Sequence, residues 1–181
     1  MHSAVVQTKR WLEEVIIDLN FCPFAKKEWL NNTIKYHLSS ENSVKPALKT
    51  ILAQCYYLQQ HQEVETSLII FEQGFQNFEA YLDLLAYAED LVISLGFEGI
   101  FQLASFHPTY CFEGEDPSDA ANYTNRSPYP MIHILREESL ARVLTTYNQP
   151  ENIPEHNIAV ARAKGSQYFE TLLQDITAHK C

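Results

Sequence analysis

The run Leu68–Ile69–Ile70–Phe71 is the strongest constraint on what this chain can become. It is bounded, wholly apolar and without polar alternation, which reads as a central strand covered on both faces. The segments around it have helical spacing instead. Leu48, Ile51, Leu52 and Cys55 mark the inner face of a helix over about 45–61. Asn77 can cap a second helix over about 78–94, which Gly96 closes. A covered strand between two helices is the building unit of an α/β fold.

The remaining elements extend that unit. Val5, Leu12, Val15, Ile16 and Leu19 predict a first helix over about 4–19, ended by Asn20 and Pro23. Cys22–Pro23–Phe24–Ala25 has the form of a new helix start, with Pro23 at the first helical position and Cys22 as the cap. Thr33–Leu38 alternates Ile34, Tyr36 and Leu38 against Lys35 and His37, as a half-exposed strand does. Ile100–Phe106 and Met131–Leu135 are the third and fourth strands. Glu137–Tyr147 is helical, and after a connection at Gln149–Pro154 a helical pair over about 155–163 and 166–178 surrounds Gly165. Three strands separated by helices imply right-handed crossovers and parallel pairing, while the fourth follows a loop and returns antiparallel. The expectation is one α/β domain over residues 1–181, with a mixed, mainly parallel sheet of about four strands covered by helices. A ferredoxin-like α+β sandwich is the alternative topology.

Composition narrows the partners. The 181 residues carry 13 basic and 23 acidic side chains, a formal charge of −10, and Lys26–Lys27 is the densest basic point. Such a surface repels nucleic-acid phosphate, so no nucleic-acid partner is expected. No apolar run approaches the ~20 residues that span a membrane. The first residues lack a basic segment followed by an apolar one, so no secretory leader is expected either. Cys22, Cys55, Cys111 and Cys181 lie far apart with no C-x-x-C pair, and read as free thiols in a reducing cytoplasm.

Chemistry concentrates in the loop from His107 to Tyr129 and the strand behind it. The loop exceeds the roughly 12–15 residues usual for an unstructured connection and starts at a strand's carboxyl end, where α/β sheets collect ligands. Asp116–Pro117 with Asp119 predicts one short turn inside it. His107 is a candidate general base, a metal ligand, or a structural residue closing the strand. Arg126, among Asn122, Asn125 and Ser127 and flanked by Tyr123 and Tyr129, suits a carboxylate or phosphate; equally, it could bond loop carbonyls and stiffen the loop. His133 falls on the strand face shared by Met131 and Leu135, as a ligand contact or a buried neutral ring. Arg136 joins the ligand-binding candidates, with pairing to Glu137 and Glu138 or to the first helix as its structural alternative. Cys22, at a helix start, is the candidate nucleophile, with a small buried hydrophobe as the plain alternative.

These residues point to a Cys22/His107-dependent enzyme acting on a small polar or anionic metabolite. The alternative is a non-catalytic module binding a small ligand or a metal. His107-x₃-Cys111 is a metal half-site spacing that Cys22 or His133 could complete. No phosphate loop, dinucleotide fingerprint or G-x-S-x-G occurs among only five glycines, so no cofactor is identified.

Two stretches together resemble a known family. Asn20–Phe21–Cys22–Pro23–Phe24–Ala25, with Phe106–His107–Pro108 and the continuous segment Asn122 to Glu137, resembles the bacterial family called domain of unknown function 1415. The resemblance extends over nearly the whole chain. It implies one domain and a bacterial cytoplasmic setting, and it assigns no residue a role.

Overall fold

A computed structural model describes residues 2–145 and 149–178; Tyr147 and Cys181 lie outside the described residues. The chain opens with α1 (Ser3–Trp11), which runs on into a π-helical turn over Leu12–Ile17. The wider turn carries Asp18 N–H to the Glu13 carbonyl, five residues back, and turns Leu12, Val15 and Ile16 inward. A short helix, α2 (Ala25–Asn31), leads to β1 (Ile34–Ser39). The helix starts later than the sequence indicates: Pro23 and Phe24 form a turn, with the Ala25 N–H bonded to the Cys22 carbonyl.

Then come α3 (Val44–Gln60), β2 (Thr66–Phe71), α4 (Phe78–Ser94) and β3 (Phe101–Phe106). The Asn77 side chain accepts from Ala80 N–H at the start of α4, and Gly96 at φ +78° closes its far end. After the long loop, β4 (Met131–Arg136) passes directly into α5 (Glu137–Leu144), and α6 (Ile153–Lys164) and α7 (Ser166–Ala178) complete the fold. No helix among the described residues is long and apolar enough to cross a membrane.

The sheet is mixed and four-stranded, in the order β1-β2-β4-β3. β1 and β2 pair in parallel from Ile34↔Thr66 to Ser39↔Phe71, and β4 is antiparallel to both β2 and β3. β1, β2 and β3 therefore point the same way, as two crossovers require. The expectation of a mainly parallel sheet is imprecise in its pairing, because the β2–α4–β3 crossover skips a position and the returning β4 fills it. Only one of the three pairings is parallel.

Both faces of the sheet are covered, unlike a sandwich with its helices on one side. Ile69 and Phe71 of β2 and Ile132 and Ile134 of β4 pack with Ile51, Leu58, Tyr81 and Leu84 of α3 and α4. Leu68, Ile70 and Met131 point the opposite way, into a second cluster with Trp11, Val15, Ile16, Phe21, Ala161 and Phe169. The period-two alternation along β2 and β4 thus divides the core into two apolar layers.

Candidate functional site

The loop from His107 to Tyr129 is held by its own polar side chains. Asn122 is fully buried; its Oδ1 accepts from Phe112 N–H and its Nδ2 donates to the Asp116 carbonyl, each at 2.9 Å. Asn125 Nδ2 donates to the Ser105 carbonyl at 3.1 Å. Arg126 donates to the carbonyls of Tyr110 (3.0 Å) and Pro117 (2.7 Å), with its guanidinium 4.5 Å from the Tyr123 ring centre. Asp119 caps the short 3₁₀ turn Ala120–Thr124 and pairs with Arg162 of α6, whose hydrogen bond holds the Asp119 carboxyl below its ordinary range. Tyr123 donates to Glu170 and Tyr129 to Gln7. Of the two readings of Arg126, the geometry displays the stiffening one. Arg126→Ala is expected to lower stability by about 1.5–3 kcal/mol, the usual contribution of hydrogen bonds to a charged group. A thermal melt checks it, and an unchanged midpoint contradicts it.

His107 is fully buried. Its Nε2 donates to the Phe75 carbonyl at 2.9 Å, its Nδ1 accepts from Thr109 N–H at 3.1 Å, and its ring lies against Phe78 and Tyr81 of α4. Burial lowers its pKa, and the carbonyl of Phe75 opposes that shift. Both nitrogens are engaged. Cys22 packs instead with the α1-side cluster and lines a cavity that His107 does not reach. The structure therefore does not bring Cys22 and His107 together. Cys111 donates its thiol to the carbonyls of Phe112 and Glu115 within the loop. Among the described residues, no three His, Cys, Asp or Glu side chains are grouped to hold a metal.

What Cys22 does share is a cavity of about 100 Å³, open at its mouth, with His133 and Arg136. Its floor is the α1 face of the sheet: Ile34 of β1, Thr66 and Leu68 of β2, His133 and Leu135 of β4, and Phe106 of β3. Trp11, Leu12 and Ile16, from α1 and the π-helical turn, form one wall, and Ser139, Leu140 and Val143 of α5 form another. Lys27, Glu28, Glu65, Arg136 and Arg142 supply the charge. The Arg136 guanidinium donates to the carbonyls of Leu58, His61 and Val64, fastening the end of β4 to the end of α3, while among the described residues its Nε has no partner. Glu65 Oε1 is likewise buried without a partner.

Burial governs the titration here. It pushes the Cys22 thiol up, against the pull of hydrogen bonds from the backbone of Phe24 and Ala25, and it pushes His133 down to about 4. At neutral pH the cavity therefore presents a protonated thiol and an uncharged imidazole. Thr66, whose hydroxyl meets His133 Nε2 and the Ile134 carbonyl, is absent from the sequence-based candidates. Alternation along β2 puts Thr66 on the same face as Leu68 and Ile70, and a polar residue on a covered face was the signal available. Nothing local marks Trp11, Glu65, Ser139 or Arg142, which the fold gathers from separate elements.

Of the candidates read from the sequence, then, Cys22, His133 and Arg136 meet in the cavity, whereas His107, Asn122, Tyr123, Asn125, Arg126 and Tyr129 do not line it. Neither the curated proteins nor the solved structures include a match to this chain. Residues 3–171 do match the family described as Protein of unknown function (DUF1415), so the chain belongs to that family.

Proposed function

We propose that the cavity takes up a small, largely apolar molecule carrying one anionic group. The observation that carries this reading is the lining of the cavity, mostly apolar side chains with Arg136, Arg142 and the His133 ring set among them. An apolar recess with a few placed polar groups is the usual form of a small-molecule site. Charge favours an anion. Lys27 and Glu28 of the lining pair with each other, which leaves Arg136 and Arg142 against the single remaining acid, Glu65.

A second reading makes this a Cys22-dependent enzyme for the same kind of molecule, with His133 rather than His107 as the imidazole in reach of the ligand. The shared cavity favours it. The binding reading stands first because a thiol held protonated is a poor nucleophile at neutral pH. Both readings take the protein to be bacterial and cytoplasmic, as the family resemblance implies and as free Cys22, Cys55 and Cys111 suit.

The test is protection of Cys22 from iodoacetamide at pH 7.5, followed by mass spectrometry, with 2-naphthoate as the probe and 2-naphthylmethanol as its uncharged counterpart. Alkylation of Cys22 is expected to be slower than that of a model thiol and slower still with naphthoate, the alcohol protecting less. Leu140→Trp, which fills the cavity from α5, is expected to abolish naphthoate's effect. No protection up to the solubility limit of naphthoate overturns the reading.

A further inference from the structure

Thr66 fixes where the proton of His133 sits. The Thr66 hydroxyl has one proton, and its Oγ1 lies 2.6 Å from the Ile134 carbonyl oxygen, which can only accept. That proton is committed to Ile134. The contact between the same Oγ1 and His133 Nε2 therefore requires the imidazole to donate. A neutral imidazole has one N–H, so Nε2 carries it and Nδ1 is a bare acceptor. The ring is neutral at physiological pH because burial disfavours its charged form.

Nδ1 has no hydrogen-bond partner among the described residues, and it is not one of the buried atoms sealed away without one. The sheet around it supplies nothing polar. Its register neighbours are Leu68 on β2 and Ala104 on β3, and the Phe106 ring lies 6.4 Å away. His107 makes the contrast. It also donates through Nε2, to Phe75, but its Nδ1 is occupied by Thr109. Of these two histidines, only His133 offers an unused acceptor, and it does so in the cavity floor.

We infer that His133 is the specificity-determining residue of the cavity, its Nδ1 accepting a hydrogen bond from a hydroxyl or N–H group of the ligand. The inference rests on the small-ligand reading above and narrows it. The ligand class becomes an apolar-bodied acid bearing a hydroxyl or N–H donor separate from its anionic group. Thr66 acts through His133 and is a positioning residue, since it selects the tautomer that leaves Nδ1 free. A site built to hydrogen-bond such a group discriminates strongly against analogues lacking it, because the buried acceptor is then left unpaired.

Two readouts test this on the full chain. Histidine-selective ¹⁵N labelling with ¹H–¹⁵N correlation spectra is expected to show His133 protonated at Nε2 and bare at Nδ1. Thr66→Ser is expected to keep that pattern and Thr66→Val to lose it. Fluorescence titration is expected to show 6-hydroxy-2-naphthoate binding about tenfold tighter than 6-methoxy-2-naphthoate or 2-naphthoate, the effect of roughly one hydrogen bond. The ratio is expected to persist in Thr66→Ser and to fall toward one in Thr66→Val and His133→Phe. A proton on Nδ1 in the parent protein overturns the inference. So does equal binding of the three naphthoates, which leaves the cavity reading intact. Failure of all three to bind ends the cavity reading and the inference with it.

Discussion

Trp11→Ala is expected to lower the folding free energy by about 3–5 kcal/mol, the range for deleting a large buried aromatic side chain. Trp11 is fully buried. Its ring meets Phe106 edge-on at 5.1 Å, joining α1 to the end of β3. Its Nε1–H donates to the Arg126 carbonyl at 2.9 Å, so the same side chain ties α1 to the long loop. The substitution also removes part of one wall of the cavity. Small domains have about 5–15 kcal/mol in total, so this one change consumes a large fraction of the margin. Trp11→Phe separates the contributions. It keeps most of the apolar contact but leaves the Arg126 carbonyl unbonded, for an expected loss of about 1–3 kcal/mol. Urea denaturation midpoints at constant slope measure both, and a Trp11→Ala loss below about 1 kcal/mol contradicts the packing assigned to this ring.

The protein is expected to lose stability as pH falls from about 6.5 toward 4, before most carboxylates titrate. Burial lowers the pKa of His133 to about 4, and it lowers those of His107 and His37, with Lys35 adding to the effect on His37. A group whose folded pKa lies below its unfolded value binds protons preferentially in the unfolded state. Its contribution is therefore complete above the unfolded value of about 6.5 and disappears as pH drops through the folded one. For His133 alone the difference amounts to about 3 kcal/mol. Denaturation midpoints at pH 7.5 and 4.5 should differ accordingly, and His133→Gln should reduce the slope. A midpoint constant between pH 7 and 5, or a slope unchanged by His133→Gln, would falsify the assignment.

Elements whose signals are local were legible from the residues themselves. Asn77 and Gly96 bracket α4 at the expected residues, and the alternation of Met131, His133 and Leu135 puts His133 on the correct face of β4. The order of the strands was not legible. Crossover rules give the direction of β1, β2 and β3 but not whether a crossover skips a place, and the slot taken by β4 depends on pairing across about 65 residues. The loop shows the other limit. The sequence displays the donors of Asn122, Asn125 and Arg126 but not the carbonyls of Tyr110, Asp116, Pro117 and Ser105 that accept from them. Donors gathered in sequence look like a binding site until the backbone that uses them is seen. The cavity has the opposite character, since its walls come from α1, α2, α5 and all four strands, with no contiguous signature.

The place of β4 also sets the order in which the chain can assemble during synthesis. β1 and β2 pair with each other, but β3 has no neighbour in the sheet except β4. A nascent chain that has reached Phe106 holds two paired strands and one strand whose backbone groups have no ladder to join. The gap closes only when residues 131–136 emerge, and β4 then forms both its ladders as one insertion between strands already made. Contacts this distant in sequence close late and slowly. Until they do, the edges of β2 and β3 stand open, and a chain stalled there exposes the two surfaces most able to pair with another copy of itself.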